Sequence, residues 1–314
     1  MKGLITIDQL NKKQVLEIFS RAQENLTRLR NSDQSSIKNS NHSKTKTLIN
    51  LFFENSTRTR TSFEISAHLL DFKIINFDVN NSSIKKGESI IDTAKTINAM
   101  NPDFIVTRHE SSGFAKLFSK NIDCHLINAG DGTNEHPTQA LTDAFTILQH
   151  KKTLTGIKIA ICGDILHSRV AHSNIKLLKK FGANISLATP ATLISNQYEK
   201  WLIDRFQIKI FKNIESAIQD ADVVMMLRIQ QERMSGCYIP SLEEYFNNFG
   251  INHKKIILAK KDVIIMHPGP INREVEISSQ IADDKKYSVI LEQVESGIAV
   301  RKALLEFLMN SSNK

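Results

Sequence analysis

Eight short apolar runs set the strongest constraint on how this chain of 314 residues can fold. A strand that alternates apolar and polar residues keeps one face in water, whereas a strand that is apolar nearly throughout is covered on both faces, as in a parallel sheet. Most of the runs are of the second kind: TLINLFFE, KIINFDV, FIVTR, HLINAG, KIAICGD, ISLATP, VVMMLR and VIIMHPG. They predict the strands of parallel sheets.

Segments with the spacing of helices separate these runs. Phe63, Ala67 and Leu70 recur three or four positions apart, which is the period of one helix face. The order of elements is therefore βαβα. We predict an α/β fold with two Rossmann-like domains, each built on a parallel sheet.

The length of the chain also favours two domains. The longest helical segment between the two sets of strands, from about 137 to 149, is predicted to bridge the domains. A C-terminal helix, VRKALLEFLMN, is predicted to pack back on the first domain. We therefore assign residues 1–137 with 294–314 to one domain and residues 138–293 to the other.

The balance of charge narrows the possible partners. The chain has 41 Lys and Arg residues against 33 Asp and Glu residues, a net charge of +8, which suits a nucleic-acid binder or an enzyme of anionic substrates. The lysines are scattered, as in NKKQ and NHKKIILAKK, and this pattern is typical of solvated faces. We predict no nucleic-acid partner and keep a nucleic-acid-binding or scaffold protein as a rival interpretation.

Cysteine and histidine spacing argues against a metal site. Cys124, Cys162 and Cys237 show no C-x-x-C spacing and cannot all pair, which favours a reducing compartment without structural zinc. His167 and His172 are five positions apart and do not share one helix face. The sequence has no signal-peptide pattern and no stretch of membrane-spanning length. We expect a soluble, unprocessed cytoplasmic protein that has no membrane partner and binds no metal.

Hydrogen-bond donors and cations follow the ends of most runs. Open parallel sheets bind ligands at the carboxyl ends of their strands, so these residues are candidates for a binding site. They are Ser56-Thr57-Arg58-Thr59-Arg60 after the first run, Arg108 at the end of the third, His136-Pro137-Thr138-Gln139 after the fourth, Arg169 after the fifth, Arg228 at the end of the seventh and His267-Pro268-Gly269-Pro270 in the eighth. Carboxylates are scarce among them, and we predict a cleft for a multiply charged anion.

The segment STRTR can form a phosphate site. Ser56 or Thr57 can cap a helix that starts there, which leaves backbone N–H groups and the positive end of the helix dipole facing the strand ends. Phosphate binds readily at such a helix start, and the Arg58 guanidinium can reach two phosphate oxygens. The alternative is that Ser56 only caps a helix whose arginines lie in solvent.

Three longer motifs carry a resemblance to a known family. FFENSTRTRTSFE, with HPTQALTD at 136–143 and HPGPINRE at 267–274, resembles the aspartate and ornithine carbamoyltransferase superfamily. Where ornithine enzymes are expected to carry an S-M-G type loop and an H-C-L-P motif, this chain has MLRIQQERM and MHPGPINRE. SSIKKGESIIDT at 82–93 is similar to the flexible loop of the aspartate enzymes. The resemblance favours the aspartate branch, with ornithine or another acceptor as the alternative.

The resemblance implies a reaction and a division of labour. Carbamoyl phosphate and L-aspartate would give N-carbamoyl-L-aspartate and phosphate, a step of de novo pyrimidine (UMP) biosynthesis. The domain of residues 1–137 with 294–314 would bind carbamoyl phosphate, and the domain of residues 138–293 would bind aspartate. Because the sequence has no G-x-S-x-G, Walker or G-x-G-x-x-G motif, we expect neither covalent catalysis nor a cofactor.

Roles at the carbamoyl phosphate end follow from the matched motifs. The resemblance implies that Ser56, Thr57, Arg58 and Thr59 hold the phosphate. Arg108 would reach the phosphate and the carbamoyl oxygen, and His136 would donate to that oxygen with Thr59 and Arg108 as it becomes an oxyanion. The carbamoyl NH₂ would bind Gln139 and the carbonyl groups of the loop containing Pro268, Gly269 and Pro270. The catalytic set would be His136, Arg108, Thr59, Arg58 and Lys86.

At the aspartate end, the resemblance implies that Arg169, Arg228 and Gln230 bind the two carboxylates. Lys86 would reach over from a neighbouring subunit and contact both substrates, so that a homotrimer shares its active sites. Glu54 and Arg233 would form an ion pair between the domains, and regulatory chains are possible partners. Residues 231–252 are predicted to be a mobile loop and a short helix that close over aspartate. His267 is interpreted as a structural residue outside the catalytic set.

Overall fold

The computed structural model describes residues 1–31, 45–79, 87–230 and 238–311. The chain divides into two compact units, Met1–Thr142 with Val294–Lys314 and Asp143–Gln293. We call them the first and second units. The division falls inside the helix that the sequence predicts as the bridge, so residues 138–142 lie in the first unit.

The first unit contains a five-stranded parallel sheet in the order β1-β5-β4-β2-β3. Its strands are β1 (Gly3–Leu4), β2 (Thr47–Phe52), β3 (Lys73–Phe77), β4 (Phe104–His109) and β5 (His125–Asp131). Its helices are α1 (Lys12–Arg30), α2 (Thr57–His68), α3 (Ile90–Ala99) and α4 (Phe114–Ser119). Helix α5 (Pro137–Lys151) begins in this unit and ends in the second.

The second unit contains another five-stranded parallel sheet, in the order β10-β9-β6-β7-β8. Its strands are β6 (Lys158–Cys162), β7 (Asn184–Ala188), β8 (Lys209–Phe211), β9 (Val223–Met226) and β10 (Ile264–Met266). Its helices are α6 (Arg169–Lys180), α7 (Asn196–Phe206), α8 (Ile214–Ile218), α9 (Leu242–Phe249), α10 (His253–Ile256) and α11 (Ser279–Ala282). Helix α12 (Ile290–Ser311) begins here and continues into the first unit.

The predicted α/β fold with two parallel sheets is confirmed, and each of the eight predicted runs contains a strand. Strands β1 and β8 were not predicted. They are two and three residues long, which is too short to show a period in sequence. Among the described residues, no helix is both long enough and apolar enough to cross a membrane.

Each unit has its own apolar core. The first buries Leu51, Ile105 and Phe118 in one cluster, and the second buries Val224 and Ile265 in another. Leu51, Ile105 and Val224 come from central strands, as the continuous apolar runs predict, whereas Phe118 comes from α4 and Ile265 from the edge strand β10. Strand β3 is different because it lies at the edge of its sheet and no residue in it is fully buried.

Candidate active site

The first unit has a topological switch point between β2 and β4. From β2 the chain moves outward to β3, returns to β4 on the other side of β2, and continues outward to β5. Leu51 pairs with Thr107 and Phe52 with Arg108, so the two strands end side by side. Ligands of open parallel sheets bind at the carboxyl ends of strands at such a point. The STRTR segment follows β2 there, and Arg108 lies near the end of β4.

Helix α2 begins at this switch point with an open N-terminus. Ser56 is the N-cap residue, in extended conformation, but its side chain makes no capping hydrogen bond. Ser56 is therefore at the predicted N-cap position, but the predicted hydrogen bond from its hydroxyl to the start of the helix is not formed. The first helical hydrogen bond runs from the Arg60 N–H to the Ser56 carbonyl, 3.2 Å. The amides of Thr57, Arg58 and Thr59 consequently have no acceptor within the helix and can serve an anion.

Arg108 is held by a carboxylate of the same unit. Its Nε donates to Glu54 Oε2 at 3.0 Å, and both side chains are largely buried. Its Nη1 donates to the Ala129 carbonyl at 3.4 Å. Glu54 thus contacts Arg108 in the structure, whereas the resemblance implies a pair with Arg233. Residue 233 lies outside the described residues.

His136 and Gln139 lie at the start of α5. His136 is 4% exposed and immediately precedes the first helical residue, Pro137. Its Nδ1 lies 3.4 Å from the Thr138 hydroxyl. When this hydroxyl donates to Nδ1, the ring proton sits on Nε2, from which it can be donated to a ligand. Gln139 is partly exposed three positions further on, within the same first turn.

The segment before α5 is anchored to the amino end of the chain. Glu135 is 1% exposed, and its Oε2 accepts the Ile7 N–H at 2.7 Å. Close by in sequence, Leu4 pairs with Ile127 where β1 joins the sheet. The position of His136 therefore depends on a contact between residues 128 positions apart.

The second unit has a switch point of the same kind between β6 and β9. From β6 the chain passes to β7 and β8, then returns to β9 and continues to β10. Cys162 pairs with Met226, so β6 and β9 end together. At Gly163 φ is +129°, and a Cβ would lie 3.0 Å from the Leu227 carbonyl oxygen. Because glycine has no side chain, the segment after β6 can pass this close to the segment after β9.

Arginines occupy both sides of this second switch point. Arg169 is the first residue of α6 and is 4% exposed, next to the N-cap Ser168, whose hydroxyl accepts the Ala171 N–H. Arg228 and Gln230 follow β9 and are partly exposed. The structure thus brings Arg169 and Arg228 to one switch point, as their positions after the fifth and seventh runs predict.

Asp164, five positions before Arg169, was missed in the sequence, and its contact with His167 was not predicted. Asp164 is fully buried, and its two oxygens lie 3.1 and 3.0 Å from His167 Nδ1. Asp164 also accepts the His167 N–H at 3.0 Å. Burial raises the pKa of Asp164, and the contacts with His167 oppose that rise. The D-x-x-H spacing directly after a strand is the signal that could have indicated this pair.

The HPGP segment follows β10 at the edge of the second sheet. His267 is 2% exposed, whereas Pro268 and Gly269 are partly exposed and Pro270 is exposed. Gly269 has a φ of +66°, which favours glycine, and the Gly269–Pro270 peptide is cis. His267 contacts Glu276, a residue that the sequence did not single out, with 3.0 Å between Nε2 and Oε1.

Two predicted regions lie wholly or partly outside the described residues. The first is Lys86, which is not among the described residues. Of the predicted loop and helix at 231–252, the description begins at Tyr238 and includes α9. The short helix is therefore present.

Family models match both halves of the chain. Residues 2–149 match the model described as the carbamoyl-P binding domain of aspartate/ornithine carbamoyltransferase. Residues 155–308 match the Asp/Orn binding domain of the same family. Together the two matches span most of the chain.

Individual relatives agree with these matches. The aspartate carbamoyltransferase catalytic subunit of Rhodospirillum rubrum is 50% identical over 307 residues, 98% of this chain and 93% of the relative. The catalytic subunit of M. jannaschii aspartate transcarbamoylase has a TM-score of 0.84 and 34% identity, covering 100% of this chain and 99% of that chain. Aspartate transcarbamoylase from Trypanosoma cruzi, solved with carbamoyl phosphate and aspartate, has a TM-score of 0.85 and 28% identity, covering 97% and 95%.

Proposed function

Because the chain belongs to the aspartate/ornithine carbamoyltransferase family, we propose that it transfers the carbamoyl group of carbamoyl phosphate to L-aspartate. The products are N-carbamoyl-L-aspartate and phosphate, and the reaction serves de novo pyrimidine biosynthesis. The observation that carries the proposal is the chemistry of the two switch points. One pairs an open helix N-terminus with Arg108, and the other presents Arg169 and Arg228.

The first unit binds the phosphate group of carbamoyl phosphate. The free amides at the start of α2, the hydroxyls of Ser56, Thr57 and Thr59, and the Arg58 guanidinium supply donors around one position. A dianion at this helix start also gains from the helix dipole. Support comes from the exposure of Arg58 and Thr57, which leaves them accessible to a ligand.

The carbamoyl group is polarised by donors to its oxygen. Arg108, Thr59 and the Nε2–H of His136 stabilise the oxyanion that forms when the neutral amine of aspartate attacks the carbamoyl carbon. Gln139 and the backbone carbonyls at Pro268 and Gly269, with Pro270 completing the loop, bind the carbamoyl NH₂. Collapse of the tetrahedral intermediate breaks the bond from carbon to the phosphate oxygen. The leaving phosphate accepts the proton from the attacking nitrogen.

The second unit binds aspartate. The guanidinium groups of Arg169 and Arg228 can each form two parallel hydrogen bonds with a planar carboxylate, and Gln230 adds an amide donor. Two arginines suit the two carboxylates of aspartate. Ornithine has one carboxylate and a cationic side chain, which would favour an acidic partner over a second arginine.

The active unit is a homotrimer in which Lys86 of one subunit contacts the substrates of the next. The exposed edge strand β3, in which Ile75 is 48% exposed, supports this assembly because a neighbouring subunit can cover it. Mixing two inactive variants, Lys86→Ala and Arg58→Ala, should restore part of the activity, since a hybrid trimer contains sites with neither substitution. Failure to recover activity in verified hybrids would contradict shared sites.

The enzyme acts in the cytoplasm, and regulatory chains are possible partners of the trimer. A reducing compartment is supported by the two cysteines among the described residues, Cys124 and Cys162, which are both free thiols.

The acceptor is the decisive test of the proposed function. The purified full-length chain is supplied with carbamoyl phosphate and either aspartate or ornithine, and the carbamoylated amino acid is identified by mass. We expect N-carbamoyl-L-aspartate and no citrulline. Citrulline as the main product would overturn the aspartate assignment in favour of ornithine, and no transfer to any amino acid would overturn the transferase itself.

A further inference from the structure

A buried histidine and glutamate hold the HPGP loop of the second unit. The side chains of His267 and Glu276 are both 0% exposed, and His267 Nε2 lies 3.0 Å from Glu276 Oε1. The backbone N–H of His267 donates to Gln293 Oε1 at 2.9 Å. Gln293 Nε2 in turn donates to Asp143 Oδ1 at 2.9 Å, which is itself fully buried.

The tautomer of His267 follows from its partners. The Gly269 N–H donates to His267 Nδ1 at 2.8 Å, so the lone pair of Nδ1 is occupied and its proton is absent. The ring proton therefore sits on Nε2 and is donated to Glu276 Oε1. A flipped ring would lose both hydrogen bonds, so Glu276 fixes the orientation of the imidazole and, through Nδ1, the position of the Gly269 amide.

Glu276 also connects this loop to the loop after β9. Its Oε1 accepts the Asn272 N–H at 2.7 Å, and Asn272 Nδ2 donates to the Ile229 carbonyl at 3.3 Å. Ile229 lies between Arg228 and Gln230. Glu276 Oε1 thus holds the HPGP loop through His267. Through Asn272 it also contacts the segment that carries two proposed aspartate ligands, Arg228 and Gln230.

A purely structural pair would be expected to join core elements. Here the hydrogen bonds instead end on the backbones of two loops at the carboxyl edge of the sheet, where ligands bind. Asp222 is a contrasting carboxylate in the same unit. It accepts the Lys158 N–H at 2.8 Å and the Lys260 ammonium at 2.7 Å, immediately before β9 and hence at the amino edge of the sheet.

We propose that Glu276 is a positioning residue for carbamoyl transfer, which orients the HPGP loop through His267 and the Arg228–Gln230 segment through Asn272. This inference rests on the proposed function, in which the first loop binds the carbamoyl NH₂ and the second binds aspartate. Glu276 itself touches neither substrate. Its effect is to hold two sets of ligands at a fixed spacing, and small displacements of such groups are costly in rate.

Three variants test the hydrogen bonds separately. Glu276→Gln keeps an Oε1 that can accept from His267 and Asn272, and we expect kinetic constants within about threefold of wild type. Glu276→Leu removes both acceptors, and we expect a combined loss of kcat and rise of the aspartate KM that lowers kcat/KM by about 100-fold. Asn272→Ala removes only the link to Ile229. It should raise the aspartate KM by about tenfold with little change in kcat.

Two readouts separate positioning from general destabilisation. Inhibition by inorganic phosphate depends on the first unit and should be unchanged in every variant. The matched control Asp222→Asn should lower the melting temperature and leave the kinetic constants unchanged. Hydrogen exchange at the Gly269 and Asn272 amides should be slow in wild type, faster in Glu276→Leu and slow again in Glu276→Gln.

The inference is overturned if Glu276→Leu has wild-type kinetic constants at an equal folded fraction, or if phosphate inhibition weakens as much as aspartate binding. It is also overturned if Glu276→Gln loses as much activity as Glu276→Leu. Failure of the proposed function looks different, because the wild-type protein would then not carbamoylate aspartate. In that case the exchange rates of the two amides still decide whether Glu276 holds these loops.

Discussion

The two switch points place their cations in different ways. At the first, four of the proposed ligands, Ser56 to Thr59, are consecutive residues at one helix start, and Arg108 joins them from β4. At the second, Arg169 and Arg228 come from separate loops, and the contact of Asn272 with Ile229 that supports one of them joins residues 43 positions apart. A site made by one local segment should fail when a single residue is lost. A site assembled from distant loops should weaken in steps.

Loss of Arg58 gives the largest expected effect. In Arg58→Ala the phosphate loses a guanidinium that donates two hydrogen bonds, and we expect kcat/KM for carbamoyl phosphate to fall by about 1000-fold in steady-state assays. Arg60→Ala is the matched control two residues further on, where the exposed Arg60 pairs with Glu64 on the surface of α2. Equal losses in both variants would mean that this segment is not a specific phosphate site.

Loss of His136 should affect turnover more than binding. The Nε2–H donor acts on charge that develops in the transition state, so His136→Ala should lower kcat by about 100-fold with KM changed by less than about threefold. Initial rates over a range of concentrations of each substrate measure kcat and KM separately. A variant whose KM rises while kcat is kept would assign His136 to ground-state binding.

Arg228 should show the graded behaviour of the second switch point. Arg228→Ala removes one of two arginines for the aspartate carboxylates, and we expect the aspartate KM to rise by about 30-fold while the carbamoyl phosphate KM stays constant. Arg205→Ala is a control in the same unit, since its guanidinium lies 5.7 Å from the centre of the Phe206 ring on α7. Unchanged aspartate saturation in Arg228→Ala would remove this residue from the site.

The smallest expected effect is a pH dependence of stability in the first unit. Burial lowers the pKa of His109, against the opposing charges of Glu110, Glu54 and Asp131, and the ring stacks on Phe114 at 4.1 Å. The unfolded chain therefore binds this proton more readily, and the free energy of unfolding falls as pH drops below about 6.5.

The variant His109→Phe keeps an aromatic stack and cannot titrate. Between pH 7 and pH 5.5 its melting temperature should fall less than that of wild type. Part of the fall should remain, because burial also lowers the pKa of His125. His68→Gln, at an exposed position on α2, is the control. An identical pH profile for wild type and His109→Phe would contradict the assignment.

Much of the fold could be predicted because the strands are continuous apolar runs. A run of apolar residues indicates a strand that is buried on both faces of the sheet. The residue after each run lies at the carboxyl end of that strand, where ligands bind. The positions of Arg108 and Arg228 were predictable for that reason. The position of Ser56 at the start of α2 was predicted. The lack of a capping hydrogen bond was not, because a serine at this position can either cap the helix or bind a ligand.

Contacts between distant residues could not be predicted. Nothing in the sequence pairs Glu276 with His267 nine positions earlier, since no regular element spans that interval. The contact of Glu54 with Arg108 was missed for the same reason, since the resemblance implies only the pair with Arg233: a carboxylate three residues before a helix can face several arginines, and the register of β2 with β4 decides which is near. These contacts depend on the fold and appear only once the strands are paired.

The hydrogen bond from Ile7 to Glu135 has a practical consequence. Trimming the amino terminus of this protein removes an amide that steadies the residue just before His136. Glu135, which is 1% exposed, would then lose that donor. A shortened chain should therefore turn over more slowly even though no deleted residue is a proposed ligand, and enzymologists should leave this end intact.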